Sequence, residues 1–366
     1  MKLYIILLIT LGIILSISFC QRKRTEQFSN YHSDCGDYPD LLQKVMKDRN
    51  MTDNKSDYDI HIPCSYNSCE KDILAFENTK TKKKLFLIDG CDQLGSKLAL
   101  WALLKEYYGD YADNFMPRTY LLENKEDLEE FPQHFEENKQ KRPDQMYVLK
   151  NYAQRQEGIK LTRNLDEIMG GLKDGWYLVQ DYIYNPYIIS QRKINFRYYL
   201  LVTCIDDTIS GYIHKDGFLY YTPEFYDEHD ISFHKHITTG YIDRKVYQEN
   251  PLTLDDFRNH LDKQSPDLSK VWDTSANFLM NRVMTAISMK ICKNKKLDNI
   301  VRFQLFGCDL APSAKLEAQL MEINKGPDMD AKDERDKMVK MAVQKDIFKI
   351  IDPKPDDDNN RFVKIF

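Results

Sequence analysis

Two stretches near the C-terminal end constrain this chain most strongly. Residues 303–310 read FQLFGCDL, residues 319–327 read QLMEINKGP, and a charged segment separates them. Their apolar character predicts two short buried strands. Glu322 and Asn324 are two residues apart, so on a strand they project from the same face, and Asp309 joins them from the neighbouring strand. The pattern predicts three oxygen-bearing side chains that converge.

Carboxylate and amide oxygens are typical ligands of Mg²⁺ in sites that also hold nucleotide phosphates. We therefore predict Asp309, Glu322 and Asn324 as metal ligands, with Asn324 adding an oxygen without adding charge. The alternative interpretation is a β-hairpin whose polar residues lie on its solvated face.

Composition limits the class of protein. The chain has 366 residues, 42% of them hydrophobic and 12% aromatic, which is enough to build cores in one large or two to three small lobes. The net charge of -5 gives no support to nucleic-acid binding. No repeat at a fixed period is visible.

The first twenty residues form a separate segment. Residues 3–20 lack charge, are rich in Ile and Leu, and are long enough to cross a bilayer as a helix. We predict a transmembrane anchor over residues 1–20; the alternative is a cleaved signal peptide, since Ser16 and Ser18 give a small-x-small pattern. Basic residues at 22–24 predict a single-pass membrane protein with its body in the cytosol.

Residues 21–75 are polar with weak periodicity, which predicts a stalk. Two His-x-x-Cys pairs and one further cysteine lie in this stretch: His32 and Cys35, His61 and Cys64, and Cys69. These are zinc-ligand types, although their spacing matches no established zinc motif, and separate polar or packing roles are the alternative. If the body were lumenal, the same cysteines would be able to form disulfides.

From about residue 84 the chain alternates predicted strands and helices. An amphipathic helix is predicted at SKLALWALLKEYY (96–108), a polar helix at 125–139, and a strand at QMYVLKN, which ends in Lys150. This alternation predicts an α/β protein. The following loop carries Arg155 and Gly158, which suit a flap closing over phosphates, the alternative being an ordinary surface hairpin.

The segment QRKINFRYYLLVT (191–203) is predicted as a strand with a polar face. Lys193, Asn195 and Arg197 alternate with apolar residues and so share one side. A solvated edge strand is the alternative, but the buried run that follows favours an active-site lining. The next segment, GYIHKDGFLYYTPEFY, predicts a hairpin with Lys215 in its turn.

Seven segments occur in the order of one known family: NFMPRTYLL, YVLKNYAQRQEGI, LVQDYI with RKINFRYYLLV, HKDGFLYYTPEFY, HKHITT, FQLFGCDL and LMEINKGP. Over roughly residues 84–350 they resemble the tubulin–tyrosine ligase-like family of ATP-grasp ligases. The resemblance implies an α/β (α+β) ATP-grasp fold. The predicted divisions are the anchor (1–20), the stalk (21–75), an N-terminal lobe (76–145), a central ATP-grasp lobe with the flap (146–210), a C-terminal ATP-grasp lobe with the magnesium site (211–352) and a tail (353–366).

The resemblance also implies roles for individual residues. Lys193 and Arg197 would face the γ-phosphate and the acyl phosphate made from it, and Lys215 falls where the family has Arg or Lys; these three are the predicted catalytic residues. Asp309, Glu322 and Asn324 would hold magnesium. The predicted nucleotide-binding residues, besides Lys193, are Lys97, Lys150, the flap residues Arg155, Gly158 and Ile159, the adenine-contacting Gln180, and the hinge backbone at Tyr182 and Ile183.

By resemblance the chain is an ATP- and Mg²⁺-dependent carboxylate–amine ligase. It would form an acyl phosphate and add an amino acid to a protein acceptor such as tubulin, by tyrosination, glutamylation or glycylation. Basic stretches at 80–84 and 290–296 are candidate contacts for an acidic acceptor tail.

Three departures from the family pattern favour an alternative. Gln156 replaces a flap glycine, Asn195 replaces a carboxylate, and Thr239 replaces an amide. The alternative is a membrane-tethered ATP-binding pseudoenzyme or scaffold. A small-molecule peptide ligase of the glutathione-synthetase type is a third reading.

Overall fold

The computed structural model describes residues 30–33, 40–63, 69–77, 84–151, 158–206, 208–239 and 242–366. The described strands are β1 (Tyr31–His32), β2 (Ile60–His61), β3 (Lys84–Leu85), β4 (Thr119–Leu121), β5 (Tyr147–Lys150), β6 (Ile159–Thr162), β7 (Leu178–Asp181), β8 (Ile188–Ile189), β9 (Arg192–Ile205), β10 (Thr208–His214), β11 (Phe218–Tyr221), β12 (Val301–Pro312), β13 (Ala318–Asn324) and β14 (Phe362–Lys364). The described helices are α1 (Asp40–Asp48), α2 (Cys69–Glu77), α3 (Cys91–Gly95), α4 (Lys97–Tyr108), α5 (Lys125–Lys141), α6 (Leu165–Gly170), α7 (Phe233–His236), α8 (Val246–Glu249), α9 (Leu254–Gln264), α10 (Leu268–Ile287) and α11 (Glu334–Ile351). The fold is mixed α/β, as the sequence predicts.

The larger sheet runs in the order β1-β2-β3-β12-β9-β10-β14, with β13 paired to β12, and with β8 and β11 paired to β9. The two long strands β9 and β12 are antiparallel neighbours at its centre. Both are buried along most of their length, although each carries polar residues among its apolar ones. β9 and β12 pair with each other and with further strands of this sheet. The register of these pairs fixes the positions of the polar residues that the two strands carry.

Helix α10 covers one face of β9. The Trp272 ring lies 4.4 Å from the Phe196 ring, and its indole N–H donates to the Tyr198 hydroxyl at 2.8 Å. Phe196 and Tyr198 are two residues apart and therefore share a face. The alternate residues of β9, which include Lys193 and Arg197, project to the other face of the sheet. Lys150 of the smaller sheet acts on Lys193 there.

The smaller sheet is antiparallel and runs in the order β4-β7-β5-β6. Helix α5 packs against it through Phe131 and Phe135, which belong to the same apolar cluster as Tyr147 and Leu149. Asn124 caps this helix by accepting from the backbone N–H groups of the first turn. Lys150 lies at the end of β5, as predicted from the sequence.

The segment around Lys215 differs from the predicted hairpin. β10 and β11 both pair with β9, through Ile213 opposite Leu200 and Phe218 opposite Arg197. They therefore run along β9 as one interrupted strand. The physical reason lies at Gly217, where an added Cβ would come within 2.3 Å of the Arg197 carbonyl oxygen. The glycine permits a close backbone approach and does not serve a hairpin turn.

The stretch 21–75 was expected to be a stalk, and its described part is folded. β1 and β2 extend the larger sheet, and α1 buries an apolar face of Leu41, Leu42, Val45 and Met46. That face follows helical spacing, which the abundant polar residues between its members obscure.

Within the described stretches of the chain, no helix has the length and apolar character needed to span a bilayer. This finding contradicts the predicted single-pass membrane localisation, and we withdraw that prediction. The segment 1–20, on which it rested, lies outside the described residues.

Candidate functional site

The three predicted metal ligands lie together on one antiparallel strand pair. Asp309 on β12 is the register partner of Glu322 on β13, and Asn324 is the partner of Gly307. The Asn324 amide donates to Glu322 Oε1 at 3.2 Å. The convergence follows from strand register: residues two apart share a face, and register partners lie side by side.

Asp309 is also bound by Arg197. Arg197 Nε donates to Asp309 Oδ1 at 2.5 Å, and Nη2 donates to Oδ2 at 3.0 Å. The two residues are register partners on β9 and β12. Gly307 makes room for this pair, since a Cβ there would lie 3.1 Å from Arg197 Cδ and 3.0 Å from Pro327 Cβ.

The carboxylates of this cluster have shifted pKa values. Burial raises the pKa of Asp309 to about 6, with the Glu322 carboxylate acting in the same direction and Arg197 opposing both. Burial acts to raise the pKa of Glu322 as well, but Lys97 and Lys150 outweigh it and the pKa is lowered. The N-lobe lysine at the start of α4 and the lysine at the end of β5 thus act on the same carboxylate.

Lys150 is buried and has a neutral partner. Its ammonium donates to Gln180 Oε1 at 2.7 Å. Gln180 is held in turn by donating to the Thr119 hydroxyl at 2.8 Å and to the Pro117 carbonyl. Burial lowers the pKa of Lys150 to about 8, although Glu322 acts in the opposite direction.

Lys193 is buried against an aromatic ring. Its Nζ lies 4.2 Å from the centre of the Tyr182 ring. Burial lowers the pKa of Lys193 to about 7, with Lys150 acting in the same direction. The Tyr182 hydroxyl lies 3.0 Å from His236 Nδ1, and the other ring nitrogen of His236 lies 2.5 Å from the Asp230 carbonyl oxygen. His236 therefore fixes the ring on which Lys193 rests.

The predicted adenine contacts are partly engaged with other groups. The Tyr182 N–H donates to the Met146 carbonyl, and the Tyr182 carbonyl accepts from the Gln145 amide at 2.9 Å. Ile183 has a buried side chain next to them. Gln180 is adjacent, but its amide holds Lys150.

The two ends of the predicted flap meet. Asn151 N–H donates to the Gly158 carbonyl at 3.0 Å, and Ile159 pairs with Lys150. Arg155 and Gln156 lie outside the described residues.

Lys215 has a different position from the other predicted residues. It is exposed in the interruption between β10 and β11, where its backbone N–H donates to the Arg361 carbonyl and its carbonyl accepts from Arg258. Within the described residues, the side-chain hydrogen bonds and ion pairs do not join Lys215 to the Arg197–Asp309 cluster.

Two tyrosines complete the cluster, and the sequence interpretation missed their roles. Tyr220 on β11 is the register partner of Asn195 on β9. The centre of the Tyr220 ring lies 5.7 Å from the guanidinium carbon of Arg197. The sequence interpretation gives Tyr182 only a backbone role. The role of Tyr220 depends on the register of β11 with β9, which the prediction of a hairpin between β10 and β11 does not include.

The donor set at β12 and β13 fits a hard divalent cation. It consists of two carboxylates and one amide, all oxygen donors. Asp309 and Glu322 are close enough for a hydrogen bond between them to raise the pKa of Asp309, so a cation would relieve their repulsion. Asp309, Glu322 and Asn324 are thus suited to hold Mg²⁺.

The histidines and cysteines considered as zinc ligands are only partly described. His32 and His61 are register partners on β1 and β2, with ring centres 6.4 Å apart, and His32 Nδ1 lies 3.1 Å from Asp53 Oδ1. Cys35 and Cys64 lie outside the described residues. Cys69 lies beside Cys91.

Comparison with known proteins gives consistent matches. The model of the tubulin-tyrosine ligase family matches residues 50–361. Tubulin glycylase 3B of Drosophila melanogaster is 26% identical over 221 residues, which is 56% of this chain and 29% of that protein. A tubulin polyglutamylase of Xenopus tropicalis is 25% identical over 276 residues, which is 69% of this chain and 29% of that protein.

A probable tubulin polyglutamylase of Caenorhabditis elegans is 26% identical over 258 residues, which is 65% of this chain and 58% of that protein. The matched region thus spans less than two thirds of the length of each of these relatives. The family model, in contrast, covers most of this chain. On that match, the chain belongs to the tubulin-tyrosine ligase family.

Proposed function

We propose that this chain is an ATP- and Mg²⁺-dependent carboxylate–amine ligase that adds an amino acid to a protein acceptor. One observation carries the proposal: Lys150 and Lys193 are both buried, Lys150 is close enough to lower the pKa of Lys193, and their side-chain contacts are a neutral amide and an aromatic ring. Glu322 offsets the charge of Lys150 only in part, since the pKa values of both lysines are still lowered. Buried ammonium groups that lack full compensation by an anion destabilise a protein. A nucleotide phosphate would supply that charge.

The cationic groups of the proposed phosphate site are in place without a bound nucleotide. Burial and mutual repulsion lower the pKa of Lys193 to about 7 and burial lowers that of Lys150 to about 8, so each would gain charge when phosphate binds. Arg197 is already charged and is held by Asp309. Fixed cationic groups in a site closed to water stabilise developing phosphoryl charge strongly.

Mg²⁺, when bound by Asp309, Glu322 and Asn324, would draw electron density from the phosphate oxygens and offset their charge. The chain's own residues perform the remaining work. Lys150 and Lys193 would orient the phosphates, and His236 would hold Tyr182 and through it Lys193.

The chemistry that suits this arrangement has two steps. An oxygen of the acceptor carboxylate attacks the γ-phosphorus, the bond from that phosphorus to the bridging oxygen breaks, and ADP leaves. The amine of the donor amino acid then attacks the acyl carbon, phosphate leaves, and the amine loses a proton. Positioning and charge neutralisation are what such a reaction needs from the protein.

We propose an ATP-grasp arrangement for the two sheets. The nucleotide would lie between β5 to β7 of the smaller sheet and β9, β12 and β13 of the larger one. The predicted lobes 76–145, 146–210 and 211–352, with 353–366 as a tail, do not follow the sheet boundaries: position 210/211 lies within β10, and β9 pairs with β12 in the larger sheet. Lys97 and Lys150, which come from the first two lobes, both lower the pKa of Glu322 in the third, so all three lobes would act on the proposed site.

The names of the relatives suggest the acceptor and the donor. They are a tubulin glycylase and tubulin polyglutamylases, so we propose tubulin as acceptor and glutamate or glycine as donor. The basic stretch at 290–296 supports tail binding only weakly, because Lys290 pairs with Glu106 and Lys296 pairs with Glu77.

Incubation of the full chain with Mg²⁺, ATP, tubulin and separately labelled glutamate, glycine or tyrosine tests the proposal. We expect label in tubulin from one donor, ATP-dependent and lost in Lys193→Met. The exposed Lys173→Met is the matched control and should retain activity. Nucleotide binding without transfer from any donor to tubulin would reject the proposed reaction with this acceptor.

One observation favours a second candidate, a nucleotide-binding protein without turnover. Asn195 Oδ1 is buried and has no hydrogen-bond partner among the described residues. An Asp at this position would carry a charge that Asn195 lacks. If Asn195→Asp restores transfer to a chain that binds ATP without turnover, the second candidate is correct for the natural chain.

A further inference from the structure

Outside the proposed ligase site, the chain holds a pair of adjacent thiols. Cys69 begins α2 and Cys91 begins α3, and both side chains are buried. Their sulfur atoms and an Asp92 carboxylate oxygen all lie within 4.8 Å of one another. Asp92 is exposed, so the pair lies directly beneath the surface. The two sulfur atoms are therefore neighbours, and a disulfide would require them to approach to about 2.05 Å.

The surroundings favour thiol oxidation over metal binding. The Lys325 ammonium forms an ion pair with Asp92, so the carboxylate that would complete a metal site already has a cationic partner. A hydrogen bond from Cys91, helped by Lys325, lowers the pKa of Cys69, although burial acts against it. A thiolate with a neighbouring thiol is the arrangement that thiol–disulfide exchange requires. Elsewhere in the described part of the chain, Cys204 and Cys292 form a disulfide.

We propose that Cys69 and Cys91 are a modification site that oxidises to a disulfide and thereby fixes α3 against α2. The co-reactant is a small-molecule disulfide such as oxidised glutathione. The Cys69 thiolate attacks one of its sulfurs, the reagent's S–S bond breaks, and one thiolate leaves. Cys91 then gives up its proton, attacks the Cys69 sulfur and releases the second thiolate. Counted from the two thiols, with the proton that Cys69 loses on forming its thiolate included, the protein loses two electrons and two protons, and the reagent becomes two thiols.

The disulfide would affect the proposed metal site because α3 contacts Lys325, the residue after Asn324, and is followed directly by α4, which begins with Lys97. The stem of Lys325 lies on Gly95, where an added Cβ would meet Lys325 Cγ at 2.5 Å. Lys325 directly follows Asn324. At the other end, Ser96 caps both α3 and α4, and α4 begins with Lys97. Fixing α3 therefore restrains Asn324 and Lys97 together.

A further bridge strengthens this connection. The Gln304 amide on β12 accepts from the Ile88 N–H at 3.1 Å and donates to the Lys325 carbonyl at 3.0 Å. The segment before α3 and the end of β13 are thus held by one side chain. The crosslink itself does not depend on the proposed function, whereas any effect on nucleotide binding does.

Disulfide mapping of the full chain tests the crosslink. After treatment with oxidised glutathione, remaining thiols are alkylated and the chain is digested with trypsin without reduction. Cleavage after Lys55 and Lys71 puts Cys64 and Cys69 on one peptide, and Cys91 falls on the peptide 85–97. We expect these peptides to be joined, with the joined species retained in Cys64→Ser and absent in Cys69→Ser.

Three results would overturn the crosslink. They are full alkylation of Cys69 and Cys91 in the oxidised sample, a joined species that survives Cys69→Ser, and stoichiometric zinc that is lost in both Cys69→Ser and Cys91→Ser. The last would identify a metal site instead.

Hydrogen exchange tests the effect on the neighbouring strand without requiring nucleotide. In the oxidised chain, amides of 318–325 should exchange about fivefold more slowly than in the reduced chain, the lower end of typical coupling between sites. Amides of 208–214, on the far side of the sheet, should not change. Equal exchange of 318–325 in both states would overturn the coupling, whether or not the protein proves to be a ligase.

Discussion

The guanidinium of Arg197 and the carboxylate of Asp309 form a two-point ion pair across β9 and β12, at 2.5 Å and 3.0 Å. Both carboxylate oxygens accept from the arginine, so a cation held by Asp309 would share those oxygens with Arg197. The position of the predicted phosphate-facing arginine is therefore tied to the predicted metal ligand. A displacement of either residue would therefore displace the other.

Replacing Arg197 with Leu should destabilise the fold, because it leaves the Asp309 carboxylate buried without its partner. We expect the free energy of unfolding to fall by about 3–5 kcal/mol, measured by urea denaturation. Adding Asp309→Leu should recover part of the loss. Lys270→Leu, which breaks the exposed pair with Asp267, is the control and should change little. A loss from Arg197→Leu no larger than the control's would show that the pair contributes nothing.

Gly307→Ala should displace the Arg197 side chain. The added methyl group would lie 3.1 Å from Arg197 Cδ and 3.0 Å from Pro327 Cβ, closer than ordinary packing allows. We expect a stability loss of about 1–3 kcal/mol by denaturant titration. Gly170→Ala, with open space around it in α6, should be neutral or stabilising by about 0.4–1 kcal/mol. Equal effects of the two substitutions would refute the tight contact.

Two replacements of Tyr182 should separate its hydroxyl from its ring. Tyr182→Phe removes the partner of His236 Nδ1 and should lower stability by about 1–3 kcal/mol while leaving the ring beside Lys193. Tyr182→Leu also removes the ring and should lose about 2 kcal/mol more. Thermal and denaturant unfolding measure both. If the two variants are equally stable, the contact between ring and ammonium is energetically neutral.

Nucleotide binding should take up a proton at alkaline pH. The free protein holds the Lys193 proton only below a pKa of about 7, whereas a bound phosphate would return that pKa towards its ordinary 10.5. Between a pH of about 7 and the pKa of Lys150 of about 8, Lys193 supplies most of this uptake, up to one proton for each binding event, and ATP affinity should fall by up to about tenfold per pH unit. Titration calorimetry at about pH 7.5, where Lys150 is still mostly protonated, in buffers of different ionisation heat measures this uptake.

Lys193→Met should lose most of this proton uptake, while Lys173→Met should retain it. Heats that do not vary with the buffer in the unsubstituted chain would argue that Lys193 does not meet the phosphate.

The sequence predicts what depends on local spacing. The shared face of Lys193, Asn195 and Arg197 follows from a period of two, and helix α4 follows from its apolar pattern. The pairing of Asp309 with Glu322 follows because the two strands are close in the chain. Resemblance to a family added the predicted phosphate contact of Lys150 and the predicted adenine contact of Gln180, and both stay predictions.

Features that depend on pairing between distant segments could not be predicted from the sequence. Tyr220 lies opposite Asn195 because β11 continues β10 along β9. The Lys-Asp-Gly sequence between β10 and β11 is typical of a hairpin turn and so favours a different arrangement. Cys69 and Cys91 meet through packing of two short helices, and no spacing indicates this. Charged residues between its members conceal the apolar face of α1, so the sequence predicts a stalk where the described part of the chain is folded.

The central claim is that the buried cluster uses ATP to activate a carboxylate. It is tested most directly by supplying the full chain with Mg²⁺, ATP, the donor amino acid found in the labelling assay, and a glutamate-rich peptide whose carboxylates carry ¹⁸O. An acyl phosphate predicts one ¹⁸O in inorganic phosphate for each amide bond formed, and loss of both products in Glu322→Gln with the fold intact. Amide formation with unlabelled phosphate, or release of AMP and diphosphate, would contradict the account.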